Sequence, residues 1–184
     1  MKYIKEISLF EDAGKHKFGC AMLYFDLPPM SVLHSMIDED DVYTDDSDRS
    51  YGLETEPHVT ILYGLHGDDE VDDDEVIKAC TEGLSGMESL RLCEASCFEN
   101  DQYDVLKFDV RDCQSLYDTN AELSKMPHTN KFPDYHPHCT VGYLKPGCGQ
   151  KYVDMLKGVE IIVSPEKIVY SKADGSKIEE NCKK

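Results

Sequence analysis

Two heptapeptides decide how this chain is read: Pro57-His58-Val59-Thr60-Ile61-Leu62-Tyr63 and Pro137-His138-Cys139-Thr140-Val141-Gly142-Tyr143. They share the pattern Pro-His-x-Thr-x-x-Tyr and begin 80 residues apart. Both read as strands, in which residues i and i+2 share a face. His58 therefore points with Thr60, and His138 with Thr140. Tyr63 and Tyr143 lie five residues past each histidine, so alternation puts them on the opposite face unless the strand bends there.

The elements around these strings repeat in the same order. Phe18 to Leu27 is apolar on both parities and predicts a central strand, ended by Pro28-Pro29. Ser31 to Ile37 predicts a short helix with Ser31 as its cap. The acidic segment 38–50 predicts an exposed loop, and Gly64 an end to the first motif strand. Asp72 to Leu84 carries Val76, Ile77, Cys80 and Leu84 at helical spacing, with acids in the first turn. Leu90 to Phe98 and Tyr103 to Val110 predict a hairpin. Ser115 to Met126 predicts a helix with Leu116, Asn120 and Leu123 on one side, stopped by Pro127. After the strand Pro137 to Leu144 come a helix at Tyr152 to Leu156, closed by Gly158, and late strands at Val159–Val163 and Lys167–Ser171. Strand, helix, strand, helix, strand thus runs over about 18–98 and again over about 103–163. The expectation is one two-lobed α+β domain over 1–172, followed by a frayed polar tail at 173–184.

If the lobes pack about a pseudo-twofold axis, the motif strands face one cleft, floored by two imidazoles and two hydroxyls. That set suits a phosphate. Histidine titrates near neutrality, so one ring can start as base and the other as acid. The threonine hydroxyls can hold the non-bridging oxygens as charge develops. Such chemistry needs neither metal nor cofactor. The bland alternative makes both histidines core residues and the threonines strand formers. Two copies at matching places in a repeat, with Pro before and Tyr after, favour the chemical reading.

Other residues near the motifs carry paired readings. Tyr63 and Tyr143 either pack in the core or stack on a base. His136 shares parity with His138 and either flanks the cleft or bonds to backbone. Phe98 and Tyr103 border the hairpin and either cap a nucleobase or pack normally. Lys145 either meets a substrate phosphate or stays solvated. His66 is expected in solvent, and His16, His34 and His128 have no partner pattern.

Composition bounds the rest. The chain has 184 residues, 40% hydrophobic and 30% charged, which fits one globular domain. No apolar run approaches the roughly 18–20 residues needed to span a bilayer. The first residues, Met1-Lys2-Tyr3-Ile4-Lys5-Glu6, lack a signal-peptide core. Nineteen bases against 37 acids give a formal charge of −18, which disfavours binding to long nucleic acid. Residues 38–48 and 68–75 hold seven acids each; without them 23 acids face 19 bases. These runs read as solvated charge, with a weak Mg²⁺ or Ca²⁺ site or a basic partner as sharper alternatives. Neither fits the EF-hand spacing. The eight cysteines contain no Cys-x-x-Cys pair and read as reduced thiols of a cytoplasmic protein.

The duplicated His-x-Thr strands resemble the 2H phosphoesterase superfamily, which includes 2′-5′ RNA ligase-like proteins and 2′,3′-cyclic phosphodiesterases. The resemblance covers about 16–171. It implies a bilobal α+β fold with two pseudo-twofold-related lobes, each an antiparallel sheet with helices, and a cleft between them. It also implies a metal-independent phosphodiesterase, a hydrolase, with His58, Thr60, His138 and Thr140 as catalytic residues. The strings Tyr51-Gly52-Leu53-Glu54-Thr55-Glu56-Pro57-His58 and Phe132-Pro133-Asp134-Tyr135-His136-Pro137-His138 look more like phage-encoded members. Among those are anti-CBASS nucleases, which degrade the cyclic oligonucleotide signals of bacterial immunity in the host cytoplasm. The expected partner is therefore a small nucleotide or cyclic oligonucleotide. Rival readings are an RNA-end cyclic phosphodiesterase or ligase-like enzyme, a non-catalytic nucleotide sponge, and a protein that docks a basic partner through its acidic runs.

Overall fold

Strand β1 (Gly19–Phe25) is apolar on both parities because both its faces are buried, Ala21, Leu23 and Phe25 in the main core and Cys20 and Met22 in a smaller cluster, and it is paired on both edges. One neighbour is the first motif strand, β2 (His58–Leu65); the other is β7 (Pro165–Ser171), and β8 (Lys177–Asn181) pairs beyond it. The second sheet runs β5 (His138–Leu144), β4 (Asp104–Arg111), β3 (Leu90–Glu99), β6 (Ile161–Val163). Every pairing in both sheets is antiparallel. The computed structural model describes residues 18–48, 50–67, 70–130 and 134–182. The N-terminal segment, Asp68 and Asp69 of the second acidic run, and Phe132 and Pro133 of the second motif's approach lie outside the described residues.

Helices α1 (Met30–Ser35), α2 (Asp73–Gly83), α3 (Gln114–Leu123) and α4 (Gly149–Met155) complete the α+β architecture. Their apolar sides, through Leu33, Val76, Cys80, Leu116, Leu123 and Tyr152, join one face of each sheet in a common core. The opposite faces carry two small satellite clusters, one around Met22 and Val169 and one around Tyr103 and Tyr143. All eight cysteines are free thiols, and no helix among the described residues is long and apolar enough to cross a membrane.

The repeat is real, but its lobes exchange strands. Read along the chain, β3 belongs to the first copy and β7 to neither. In space β3 lies in the second sheet and β7 returns to the first. The local hairpin decides this: Asn100 accepts from the backbone N–H groups of Gln102 and Tyr103, holding β3 against β4. The open edge of β1 then waits for β7. The pseudo-twofold relates β2-β1-β7-β8 to β5-β4-β3-β6.

Several boundaries differ from the sequence reading. Helix α1 begins before Ser31, whose hydroxyl bonds Pro28 instead of capping the helix. Pro29 takes the cap position, with the backbone φ already set for helix entry. Gly64 does not end β2. It sits inside the strand at φ +98°, and Thr129 backbone passes so close that a Cβ there would lie 2.1 Å from its carbonyl oxygen. The tail is not frayed at 177–181, because Asp174-Gly175 turns the chain back and β8 pairs fully with β7.

The acidic segment is not a free loop either. Asp38 caps a short 3₁₀ turn at Glu39–Asp41. From there the chain runs along the outer edge of β5: Tyr43 donates to the Tyr143 carbonyl, Tyr143 to Gly52, and Glu54 to Val141. The Asp41 carboxylate pairs with Lys151 and accepts from the Tyr152 hydroxyl, which pulls its pKa down to about 2. The acids stay in water while the backbone satisfies a sheet edge. The segment after α3 does the same for β2, with Thr129 donating to Gly64 and His66 to Pro127. His66 is accordingly not free in solvent: its ring lies between Glu70 and Thr129. Each lobe thus sends the chain that follows its first helix across to pad the other lobe's motif strand.

Candidate active site

Each motif opens with a proline whose carbonyl extends the ladder: Phe25 donates to Pro57, and Val110 to Pro137. Proline has no N–H to lose here, so it fits a strand start. The histidine that follows folds its ring back on its own approach. His58 Nδ1 lies 2.8 Å from the Glu56 carbonyl, and His138 Nδ1 lies 2.7 Å from the His136 carbonyl. A carbonyl only accepts, so Nδ1 carries the proton in both rings and Nε2 is left as the site that exchanges one. His58 also stacks on Tyr24 at 5.2 Å, and His138 meets the edge of Phe98 at 5.1 Å. The same tautomer lock occurs twice, at pseudo-equivalent places.

Cross-strand pairs fix which side chains share this surface. In the first sheet Thr60 lies opposite Met22 and His58 opposite Tyr24. In the second, Thr140 lies opposite Lys107 and His138 opposite Asp109. Both motif strands then slip register at the same point, Ile61 in β2 and Val141 in β5, each with one residue more than its neighbour. The bulge reverses the parity of everything beyond it. Tyr63 pairs with Cys20, and Tyr143 with Val105, on the histidine face. The expectation that these tyrosines fall on the opposite face is corrected by the bend it allowed for.

The two tyrosines are differently placed. Tyr63 is half-buried against Phe18 and the Met22 cluster. Tyr143 is 7% exposed and packed between Tyr51 and Tyr103, so its ring pins the acidic segment to the sheet. Phe98 lies beside His138, under the ammonium of Lys107 at 4.3 Å. His136 contributes its carbonyl to His138, while its side chain is exposed. Lys145 bonds the Asp40 carbonyl, away from the motif residues.

A bulge leaves carbonyls outside the ladder, and these are satisfied from the opposite half of the chain. Asn120 of α3 donates to the Ile61 carbonyl at 2.7 Å, and Tyr135 donates to the Thr60 carbonyl at 2.9 Å. On the other side His34 of α1 donates to the Val141 carbonyl at 3.2 Å. α1 and α3 are pseudo-equivalent, so each lobe's first helix braces the other lobe's bulge. The motif strands themselves meet where the Cys139 thiol touches the His58 backbone.

The electrostatics of the two sides differ. His138 is half-buried, and the protein packed around it strips away enough water to lower its pKa to about 4. Lys107 and His58 act in the same direction, while the carbonyl of His136 and Asp109 oppose it. The sequence reading missed Tyr24, Lys107, Asp109, Asn120, His34 and Tyr135. Lys107 and Asp109 did leave a signal, two charges at alternate positions among the apolar residues between Val105 and Val110.

Comparison with known proteins agrees with this architecture. The family model for the 2′-5′ RNA ligase superfamily matches residues 39–154, which include both motifs. Kluyveromyces marxianus Usb1 superposes with a TM-score of 0.56 at 10% identity, over 91% of this chain and 99% of that one. Its structure with uridine monophosphate gives 0.54 at 11% identity, over the same shares. Those likenesses concern the fold. Among curated proteins none matches significantly. Two bulged His-x-Thr strands, one in each pseudo-equivalent sheet, inside the matched span, place this chain in the 2′-5′ RNA ligase superfamily of 2H phosphoesterases.

Proposed function

We propose that the chain is a metal-independent phosphodiesterase that cleaves a small or cyclic (oligo)nucleotide with His58, Thr60, His138 and Thr140. The observation that carries this reading is the duplicated lock: each histidine spends Nδ1 on the carbonyl two residues earlier and keeps Nε2 for proton exchange. His138, with its pKa near 4, is neutral at pH 7 and starts as the base. It takes a proton from water or a ribose 2′-hydroxyl, and that oxygen attacks phosphorus. His58 protonates the leaving oxygen as the P–O bond breaks. The proton lost by one ring equals the one gained by the other. Thr60 and Thr140 donate to the non-bridging oxygens, and no step requires a metal.

The finer reading is a cyclic di- or trinucleotide immune signal, degraded by a phage enzyme in its host's cytoplasm. The charge of −18 supports a compact substrate over a long polyanion. The uridine monophosphate complex of a protein of like fold supports a nucleotide-sized ligand. Tyr63 and Phe98 are the aromatic side chains offered for base contact on the two sides. Tyr143, packed between Tyr51 and Tyr103, and the exposed His136 side chain stay candidates for substrate contact.

The test is turnover in EDTA on a panel of cyclic di- and trinucleotides and 2′,3′-cyclic AMP, with products read by mass spectrometry. Cleavage by wild type and not by His58→Ala or His138→Ala supports the reading. Cleavage of 2′,3′-cyclic AMP alone moves the substrate to RNA ends. Tight binding without turnover replaces the enzyme with a nucleotide sponge.

A further inference from the structure

Lys107 is a lysine where a folded domain rarely keeps one, 4% exposed on β4, whose positions 104–108 and 110 are all buried. Its ammonium donates to Ser96 Oγ at 2.7 Å, pairs with Asp109 and lies over the Phe98 ring. Ser96 closes the loop by donating to Asp109 Oδ2 at 3.2 Å. Each carboxylate oxygen therefore has one partner within this ring. Asp109 is the residue directly across the sheet from His138. A carboxylate in that position ordinarily becomes the counterion of the imidazole and favours its protonated form. Here it is turned along its own strand to the lysine.

Resting on the phosphodiesterase reading above, we propose that Lys107 is a positioning residue that divides the work between the two histidines. By holding Asp109 in a closed ring with Ser96, it weakens that carboxylate as a counterion of His138 and keeps the imidazole as the base. The pseudo-equivalent position in the first sheet holds Met22, and the one opposite His58 holds Tyr24, so no carboxylate faces His58 there; the lysine on that side, Lys167, lies over the Tyr24 ring and pairs with Glu179. The pseudo-twofold is broken here, and acid and base are told apart at this point. Among the described residues, the charged or titratable groups that act on His138 are Lys107 and Asp109 on β4 and His58 on β2, with the His136 carbonyl just before its own strand. Lys107 and His58 oppose protonation of His138, and Asp109 and the carbonyl favour it.

The test is the titration of His138 in the free protein, followed by ring-carbon NMR, beside the pH dependence of kcat/KM. In Lys107→Met the side-chain volume is kept and Asp109 is released. The His138 midpoint is expected to rise by about one pH unit or more, and the acid limb of kcat/KM to rise with it. Lys107→Met/Asp109→Asn is expected to return the midpoint toward wild type, and Lys107→Arg to leave it low. Ser96→Ala frees only one carboxylate oxygen and gives a smaller rise, which keeps the test available if Lys107→Met does not fold. An unmoved midpoint in Lys107→Met, or in Ser96→Ala in its place, overturns the proposal. So does a rise that the Asp109→Asn change fails to reverse. The NMR titration needs no turnover, so loss of the phosphodiesterase reading and loss of this one are separate outcomes.

Discussion

The side-chain amide of Asn120 donates to the backbone carbonyl of Ile61, a residue 59 positions earlier and in the other lobe. Ile61 is the extra residue of the β2 bulge, so this bond helps to set the faces of His58, Thr60 and Tyr63. Asn120→Ala leaves that carbonyl without its partner and is expected to cost about 1–3 kcal/mol. Urea unfolding measures the loss. Turnover is expected to fall more than KM rises, because the bond positions reacting groups and does not touch substrate. An unchanged kcat would mean the bulge holds its shape without the helix.

The two histidines predict matched losses. His58→Ala and His138→Ala are each expected to lower kcat by about 10²–10⁴ while leaving the circular dichroism spectrum unchanged. The double variant is expected to lose little more than either single one, since a proton relay with one end missing is already broken.

The lowered His138 pKa has two readouts with a defined sign. If His138 is the base, the acid limb of kcat/KM falls near pH 4, well below the ordinary histidine range. For stability, the folded state prefers the neutral ring. The unfolded chain therefore binds the extra proton first, and stability falls as pH drops from about 6.5 toward 4. Urea midpoints measured across that window are expected to fall more steeply for wild type than for His138→Gln.

Gly64→Ala tests the padding of β2. The new methyl would meet the Thr129 carbonyl at a backbone φ that alanine avoids. Loss of stability beyond about 2 kcal/mol is expected. Thr129 would also be pushed off the strand, and with it its bond to His66. A shift in the His66 ring signals would report that displacement.

Much of this was legible in residue order. His58 and Thr60, and their counterparts, face together because a strand alternates, and no tertiary knowledge is needed for that. The bulges were not legible, since Ile61 and Val141 look like any other strand residues. Only the count of partners on β1 and β4 reveals them. The exchange of β3 and β7 was hidden for a related reason: a hairpin such as β3-β4 is local, whereas β1 meets β7 nearly the whole chain later. The backbone role of the acidic segment was masked by its side chains, which are as solvated as their charge suggests. The Asp174-Gly175 turn was legible and overlooked.

The return of β7 to the first sheet also sets a timetable. β1 has an edge that stays open until Ile168 and its neighbours have been synthesised, some 140 residues after Leu23, its partner in the ladder. Until then a strand apolar on both faces has no second neighbour within reach. The hairpin β3-β4 can close as soon as it is made. The β5-β4-β3 part of the second sheet, all made by Leu144, is therefore expected to form on the ribosome before β7 completes the first, with the first half sheltering β1 by other means. Pairings this distant in sequence fold slowly, so the yield of the protein should respond to the chaperones present more than its final stability does.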